Sequence, residues 1–311
     1  MEKTYAIGID LGGTNVKYAL VDNCGEVHFH GKLPSMADIS ADAVISQIAK
    51  GIEAVREHAS KAGIAVHGVG VGTPGIVDSS LRNVMGGAEN IVGWENLPLA
   101  DRLEALTGLP VLLGNDANMM GLGETCFGAG KGCTDVVFIT VGTGIGGAVV
   151  IGGKLFGGYA NRGTELGHVP LIADGEPCAC GAVGCLEYYA SASALVRRFR
   201  ERLDRAGLFM PGEINGEVIV RLYKEGNPVA IESLDENCRF LGQGIAGFIN
   251  IFSPQKVVIG GGLADSGEFY ISRVRTQAFR YAMPDCAVNT EITGAILGNR
   301  AGCIGAASLF L

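Results

Sequence analysis

A short pattern near the amino terminus returns about 130 positions later. Ile9-Asp10-Leu11-Gly12-Gly13-Thr14, followed by the apolar run Val16 to Val21, is echoed by Ile139-Thr140-Val141-Gly142-Thr143-Gly144, followed by Ala148 to Ile151. Each reads as strand, glycine turn, strand. Solenoid repeats recur every 20–50 residues or so, so an echo at this distance marks a duplicated domain. A chain of 311 residues has room for two domains of ordinary size, and its 48% hydrophobic content supports well-buried sheets.

Further elements follow from period and punctuation. Ile45, Ile48, Ile52, Val55 and Ala59 fall at helical spacing over 41–62, and Gly63 closes the run. Helices are also predicted at 98–107, 191–206 and 228–252, the last with Asn227 as cap and Pro228 at its first position. Apolar strands are predicted at Val66 to Gly72, Pro110 to Gly114, Val136 to Val141 and Lys256 to Ile259.

Charge narrows the partners. The net charge is −8 and the basic residues are scattered, whereas a nucleic-acid binder needs a positive stripe to neutralise phosphates. Met1 to Lys3 run straight into an apolar strand, with no secretory signal pattern and no bilayer-length apolar run. The expected location is the cytoplasm, with no membrane partner. In that reducing setting Cys24, Cys126, Cys133, Cys238, Cys286 and Cys303 read as small core residues, while the cluster Cys178, Cys180 and Cys185 reads as metal before disulfide.

Residues 142–147 match G-x-G-x-x-G, but the dinucleotide fingerprint requires a helix after the turn, and here a strand follows. A Walker A ending is also missing. What remains is a hairpin whose backbone N–H groups can approach phosphate oxygens because glycine has no side chain. One such hairpin is commonly only a turn. Two related ones predict a nucleotide held from both sides, with Asp10 holding Mg²⁺ through water and Gly260-Gly261-Gly262 leaving room for the adenosine.

His168, Cys178, Cys180 and Cys185 lie within 18 residues on a Pro/Gly-broken loop and offer four donors for tetrahedral zinc. Reduced core thiols are the plainer alternative, but the polar loop argues against it. With every position filled by protein, the zinc is structural. Zinc on one ring nitrogen of His168 fixes the tautomer and leaves the other N–H as a rigid donor.

Asp10-Leu-Gly-Gly-Thr14, the second glycine hairpin and Gly260-Gly261-Gly262 resemble the phosphate-1, phosphate-2 and adenosine motifs of the actin, Hsp70 and sugar-kinase superfamily. Within it the chain resembles the ROK family (repressors and kinases) from Gly8 to about Gly305, above all in the C-x-C-G-x-x-G-C-x-E pattern from Cys178 to Glu187. The resemblance implies a two-domain α/β actin-like ATPase (ribonuclease H-like) fold, with duplicated mixed five-stranded sheets around a central cleft. The expected small domain is 1–115 plus 300–311, with the phosphate-1 hairpin. The large one is 116–299, with the phosphate-2 hairpin, zinc loop and adenosine motif.

Residue by residue, the resemblance assigns nucleotide contacts to Asp10, Gly12, Gly13, Thr14, Lys17, Gly142, Thr143, Gly144, Gly261 and Gly262. Asn115-Asp116-Ala117-Asn118, which in isolation reads as a helix cap, carries the catalytic base of ROK kinases. A sugar hydroxyl is a poor nucleophile, and Asp116 would take its proton as the bond to the γ-phosphate forms. Gly123-Glu124 downstream fits the same pattern. Asn115, Glu165, His168 and Glu187 would hold the sugar, with Gly72 in the G-x-P-G turn and Asn90 in the loop ending at Trp94, itself read as packing. Alone, Glu187 would read as a helix cap and Glu165 as half of a surface salt bridge. Thr164 departs from the small residue usual at its position, which puts sugar preference in doubt.

The function implied is ATP-dependent phosphorylation of a hexose, glucose first, with N-acetylmannosamine, N-acetylglucosamine and allose as alternative acceptors. ATP, Mg²⁺ and zinc are the expected cofactors, and a homodimer or homotetramer the expected assembly. A sugar-sensing regulator is the reading from another class, but only about four residues precede the first strand where its DNA-binding segment would stand. An actin-like filament or chaperone ATPase leaves Glu165, His168, Glu187 and the thiols unexplained.

Overall fold

A computed structural model describes residues 2–88 and 91–311. The first half of the chain forms β1 (Tyr5–Leu11), β2 (Asn15–Asp22), β3 (Val27–Pro34), α1 (Ala41–Lys61), β4 (Val66–Thr73), β5 (Ile76–Val77), β6 (Val84–Gly86), α2 (Leu99–Thr107), β7 (Val111–Asn115) and α3 (Asp116–Phe127). There follow β8 (Val136–Val141), β9 (Ile145–Ile151), β10 (Lys154–Leu155), α4 (Leu186–Ala190), α5 (Ala192–Arg205), α6 (Gly216–Lys224), α7 (Pro228–Phe252), β11 (Lys256–Gly260), α8 (Glu268–Tyr281), α9 (Pro284–Ala287), β12 (Glu291–Gly294) and α10 (Ala301–Ala307). No helix among the described residues is long and apolar enough to cross a membrane.

The duplication read from the glycine turns is present in the sheets. One runs β3-β2-β1-β4-β7 and the other β10-β9-β8-β11-β12. In the first, β1 pairs antiparallel with β2 and parallel with β4, and β4 pairs parallel with β7. In the second, β10 and β9 are antiparallel, while β8, β11 and β12 run parallel. Each is a mixed five-stranded sheet, three strands of meander extended by two crossovers.

The chain divides into two compact units, Met1–Gly132 with Ala148–Thr164 and Asn299–Leu311, and Cys133–Gly147 with Glu165–Gly298. Residues 148–164, expected with the second domain, group with the first, and so do residues 116–132, which include α3. For α3 the cause is packing: it lies on α10, where a Cβ on Gly123 would stand 2.5 Å from the Ala301 carbonyl oxygen. Only glycine lets the helices approach so closely.

In the first unit α1 buries Ile45, Ile48, Ile52, Val55 and Ala59, and they join Ile7, Ile9, Val69, Val71 and Leu113 of the sheet in one core. Each buried Ile, Leu or Val side chain there contributes roughly 1.5–3 kcal/mol. Ser40 caps α1 by accepting from the Ala43 N–H at 3.2 Å. In the second unit the oxygen of Asn227 caps α7 at the Ala230 N–H, 3.0 Å away, with Pro228 at the first turn.

Candidate functional site

The register of three parallel strands sets the first part of the site. Asp10 of β1 stands beside Gly72 of β4, Gly72 beside Gly114 of β7, and Thr73 beside Asn115. The carboxyl ends of β1, β4 and β7 thus gather Asp10, the Thr73-Pro74-Gly75 turn, Asn115 and Asp116 at one edge of one sheet. Ligands of α/β proteins commonly sit at that edge.

Asp10 is 4% exposed and takes the Lys17 ammonium at 3.2 Å. A Cβ on Gly302 would come within 2.6 Å of its carboxylate carbon, so α10 closes over Asp10 at a glycine that sequence reasoning had missed. The first hairpin turn is closed by the Gly12 N–H donating to the Asn15 carbonyl at 2.9 Å, and it leaves Gly13 and Thr14 exposed. Asp116 opens α3, where one of its oxygens accepts from the Ala117 N–H at 2.8 Å. Asn115 is the helix cap, accepting from the Asn118 N–H at 3.1 Å. Its amide donates to the Gly75 carbonyl at 3.1 Å, so the capping role is real and leaves part of the side chain for a ligand.

Glu124 is fully buried and its carboxylate accepts from the Ala129 N–H at 2.8 Å, which makes Gly123-Glu124 a support for the end of α3. Trp94 is buried and donates to the Thr73 hydroxyl at 2.8 Å, in keeping with packing. Asn90, expected at the sugar, lies outside the described residues.

The second unit holds the other hairpin. Its turn is shorter than the motif suggests, since β9 begins at Ile145, leaving Gly142 to Gly144 as the turn and Thr143 exposed. The Gly142 carbonyl accepts from the Ala192 N–H at 2.9 Å, which ties the turn to the start of α5. Beside Thr143 lies a cavity of about 560 Å³, bordered also by Ser193, Arg197, Arg200, Asn215 and Gly216. Gly261 has φ +87°, which favours glycine, and a Cβ there would meet the Val141 backbone, so the triple-glycine turn packs on the end of β8.

The segment Glu165 to His168 is a short turn in which the His168 N–H donates to the Glu165 carbonyl at 3.0 Å. Glu165 is exposed, and its carboxylate has no partner among the described residues. Glu187, in the first turn of α4, does not cap its own helix. Its Oε2 accepts from the Ile145 N–H at 2.8 Å, a contact that sequence reasoning had missed.

Thr164, just before Glu165, adopts φ +67°, a left-handed backbone unusual for a β-branched residue. His168, Cys178, Cys180 and Cys185 bring their donor atoms within 4.8 Å of one another. The His168 Nδ1 to Cys178 Sγ and Cys180 Sγ to Cys185 Sγ distances are both 3.7 Å. Tetrahedral zinc with bonds of about 2.0–2.3 Å separates its ligands by about 3.3–3.8 Å, so the residues fit the ion. Burial and the neighbouring thiols push the Cys185 thiol up, while the Ala182 backbone N–H holds Cys180 down. A cation among the sulfurs removes that conflict by favouring thiolate. A second donor group, Asp22, Glu26 and His28, already has the Lys3 ammonium 2.8 Å from Asp22 and reads as an ion-pair network.

A profile of the ROK family matches residues 6–311. The chain is 36% identical to a glucokinase of Streptomyces coelicolor, over 97% of this chain and 96% of the relative. It is 35% identical to a glucokinase of Thermotoga maritima, over 99% and 98%. The crystal structure of a ROK family glucokinase from Streptomyces griseus in complex with glucose and AMPPNP superposes with a TM-score of 0.84 at 34% identity, covering 98% of this chain and 99% of that one.

Proposed function

The chain belongs to the ROK family, and from that premise we propose that it is an ATP-dependent hexose kinase converting glucose to glucose 6-phosphate. Its duplicated sheets are the actin-like ATPase fold. The observation that supports the reading best is the strand register, in which Asp10 stands beside Gly72 and Gly114 and, one residue further, Thr73 beside Asn115, with Asp116 next in the chain. Glucokinase relatives matched over nearly their whole length point to the same activity.

In this reading Asp116 accepts the proton of the sugar 6-hydroxyl as that oxygen attacks the γ-phosphate. Asn115, the Gly72 turn, Asn90, Glu165, His168 and Glu187 orient the sugar. Carboxylates accept from neighbouring hydroxyls, and the Nε2–H of His168 donates while Nδ1 faces the thiols. Gly13 and Thr14 on one unit, and Thr143 and Gly144 on the other, would offer backbone N–H groups to phosphate oxygens, while Gly12 and Gly142 shape the turns, their N–H groups donating to the Asn15 and Gly144 carbonyls. Lys17 adds positive charge, and the open space beside Gly262 would admit the adenosine, with Gly261 seating the turn on β8. Asp10 would hold Mg²⁺, which neutralises phosphate charge when bound. Zinc on His168, Cys178, Cys180 and Cys185 would brace the sugar turn without entering the reaction.

An ADP-release assay across glucose, mannose, allose, N-acetylglucosamine and N-acetylmannosamine tests the proposal. Glucose is expected to have the highest kcat/KM. Turnover confined to an N-acetylated sugar would move the acceptor, and none with any hexose would end the kinase reading.

A further inference from the structure

Ile145 is gripped from two sides by segments that carry sugar-binding candidates. Its N–H donates to Glu187 Oε2 at 2.8 Å, across 42 residues of sequence. On the other side Gly167, inside the Glu165–His168 turn, lies so close that a Cβ would run into the Ile145 carbonyl oxygen. Leu166 covers Gly147 in the same way, with its side chain where a Cβ would be. All of these residues belong to the second unit.

Gly144 completes the picture. A Cβ there would collide with Glu187 Oε2, and its φ lies outside the left-handed region, so alanine would fit the backbone but for the carboxylate. The third glycine of the hairpin is therefore accounted for by Glu187, and not by phosphate approach alone. Oε1, the other carboxylate oxygen, accepts no hydrogen bond among the described residues.

We propose that Glu187 is a positioning residue for the nucleotide as well as a sugar ligand. Oε2 holds the phosphate hairpin by its Ile145 N–H, and Oε1 is left to accept a sugar hydroxyl. The inference rests on the sugar-kinase reading above and adds to it a direct coupling between the two substrates. A carboxylate accepting from a backbone N–H is a charge-assisted bond, stronger than a neutral one. A sugar that draws on the same carboxylate changes the hairpin it holds. By linkage the effect is reciprocal: sugar alters nucleotide affinity by the factor through which nucleotide alters sugar affinity. A strand-opening N–H needs some acceptor in any protein. A purely local role, however, predicts no consequence for ligands.

Calorimetry on the full chain, with Mg²⁺–AMPPNP and glucose titrated separately, separates these cases. Glu187→Ala should weaken AMPPNP binding in sugar-free protein about tenfold, the effect of losing one hydrogen bond that orders the hairpin. Glu187→Gln keeps an oxygen for the Ile145 N–H and should bind AMPPNP within about twofold of the parent, while both variants lose glucose affinity. Gly144→Ala, which displaces the carboxylate, should weaken glucose binding in nucleotide-free protein. Parent-like AMPPNP affinity in Glu187→Ala would overturn the coupling and leave the kinase reading standing. A parent protein that binds neither ligand would take down both.

Discussion

The side-chain amide of Asn115 donates to the carbonyl of Gly75 at 3.1 Å, while its oxygen caps helix α3 at the Asn118 N–H. One side chain thus fixes both the start of the helix that opens with Asp116 and the turn that ends β4. The two bonds are separable by substitution. Asn115→Asp retains an acceptor for the cap but loses the donor to Gly75. Asn115→Ala loses both and should destabilise the protein by about 1–2 kcal/mol. The Asp variant should melt closer to the parent than the Ala variant does, yet show a reduced kcat/KM for the sugar. Equal melting temperatures for the two variants in a thermal scan would show that the cap contributes nothing.

Asp116 needs its charge to accept a proton, whereas its bond from the Ala117 N–H requires only an oxygen. Asp116→Asn keeps that oxygen, so the helix should form and the melting temperature should stay close to that of the parent. Removal of a general base lowers kcat by about 10²-fold or more. Steady-state turnover at saturating glucose and ATP is the measurement, and parent-like kcat would transfer the role to another group.

The duplication, the four-donor cluster of His168, Cys178, Cys180 and Cys185 and the long α7 were legible because each is written in local chemistry: glycine turns, clustered thiols, and Asn227-Pro228 before a 3.6-residue period. Helix α10 was not. All seven of its residues, Ala301 to Ala307, are buried, so it has no polar face and no amphipathic period to read. Its two glycines, Gly302 and Gly305, also lower helix propensity while permitting the close approach to Asp10 and α3. The same packing moved the domain boundary past α3. The Glu187–Ile145 bond was hidden for a different reason. A contact across 42 residues leaves no periodic trace, and the sugar role read for Glu187 gave no cue to a backbone partner in the glycine hairpin.

Thr164 carries the clearest local backbone strain near the site, with φ +67° on a β-branched residue. Such a conformation costs on the order of 1–3 kcal/mol. Glycine adopts it freely, though its extra freedom in the unfolded chain takes back about 0.4–1 kcal/mol. Thr164→Gly should therefore raise the melting temperature by about 1–4 °C. A lower melting temperature by differential scanning fluorimetry would mean that the hydroxyl, which donates to the Gly163 carbonyl at 2.6 Å, outweighs the strain.

Metal removal tests the four-donor cluster. Elemental analysis of purified protein should give about one zinc per chain, as expected for a closed tetrahedral site. Cys180 is the exposed thiol of the set, so Cys180→Ser deletes a ligand with little change in packing. It should lose zinc to a mild chelator and melt more than about 5 °C lower, since structural zinc contributes on the order of 10 kcal/mol to ordering its loop. Metal-free protein with the stability of the parent would remove zinc from the fold.

Acid sensitivity has an assignable source in the first unit. Arg82 donates to both oxygens of Glu104, at 2.8 and 2.6 Å, and the Val111 N–H adds a third bond at 2.9 Å. These bonds, Arg82 first, hold the Glu104 carboxyl down at about 2. Burial of Asp78 works in the opposite direction, but bonds from Ser80, Asn83 and the Arg82 backbone N–H outweigh it and bring it to about 2 as well. Both values are depressed on folding, so the unfolded chain binds more protons below its own carboxylate range. The stabilisation is therefore complete above about pH 4.5 and drains away as pH falls from there toward 2. Glu104→Gln should lower the melting temperature at pH 7 by about 1–3 °C, a modest amount because the pair is partly exposed. The gap between parent and variant should close as the buffer approaches pH 2. A gap that persists unchanged at pH 2.5 would show that Glu104 acts through packing and not through its charge.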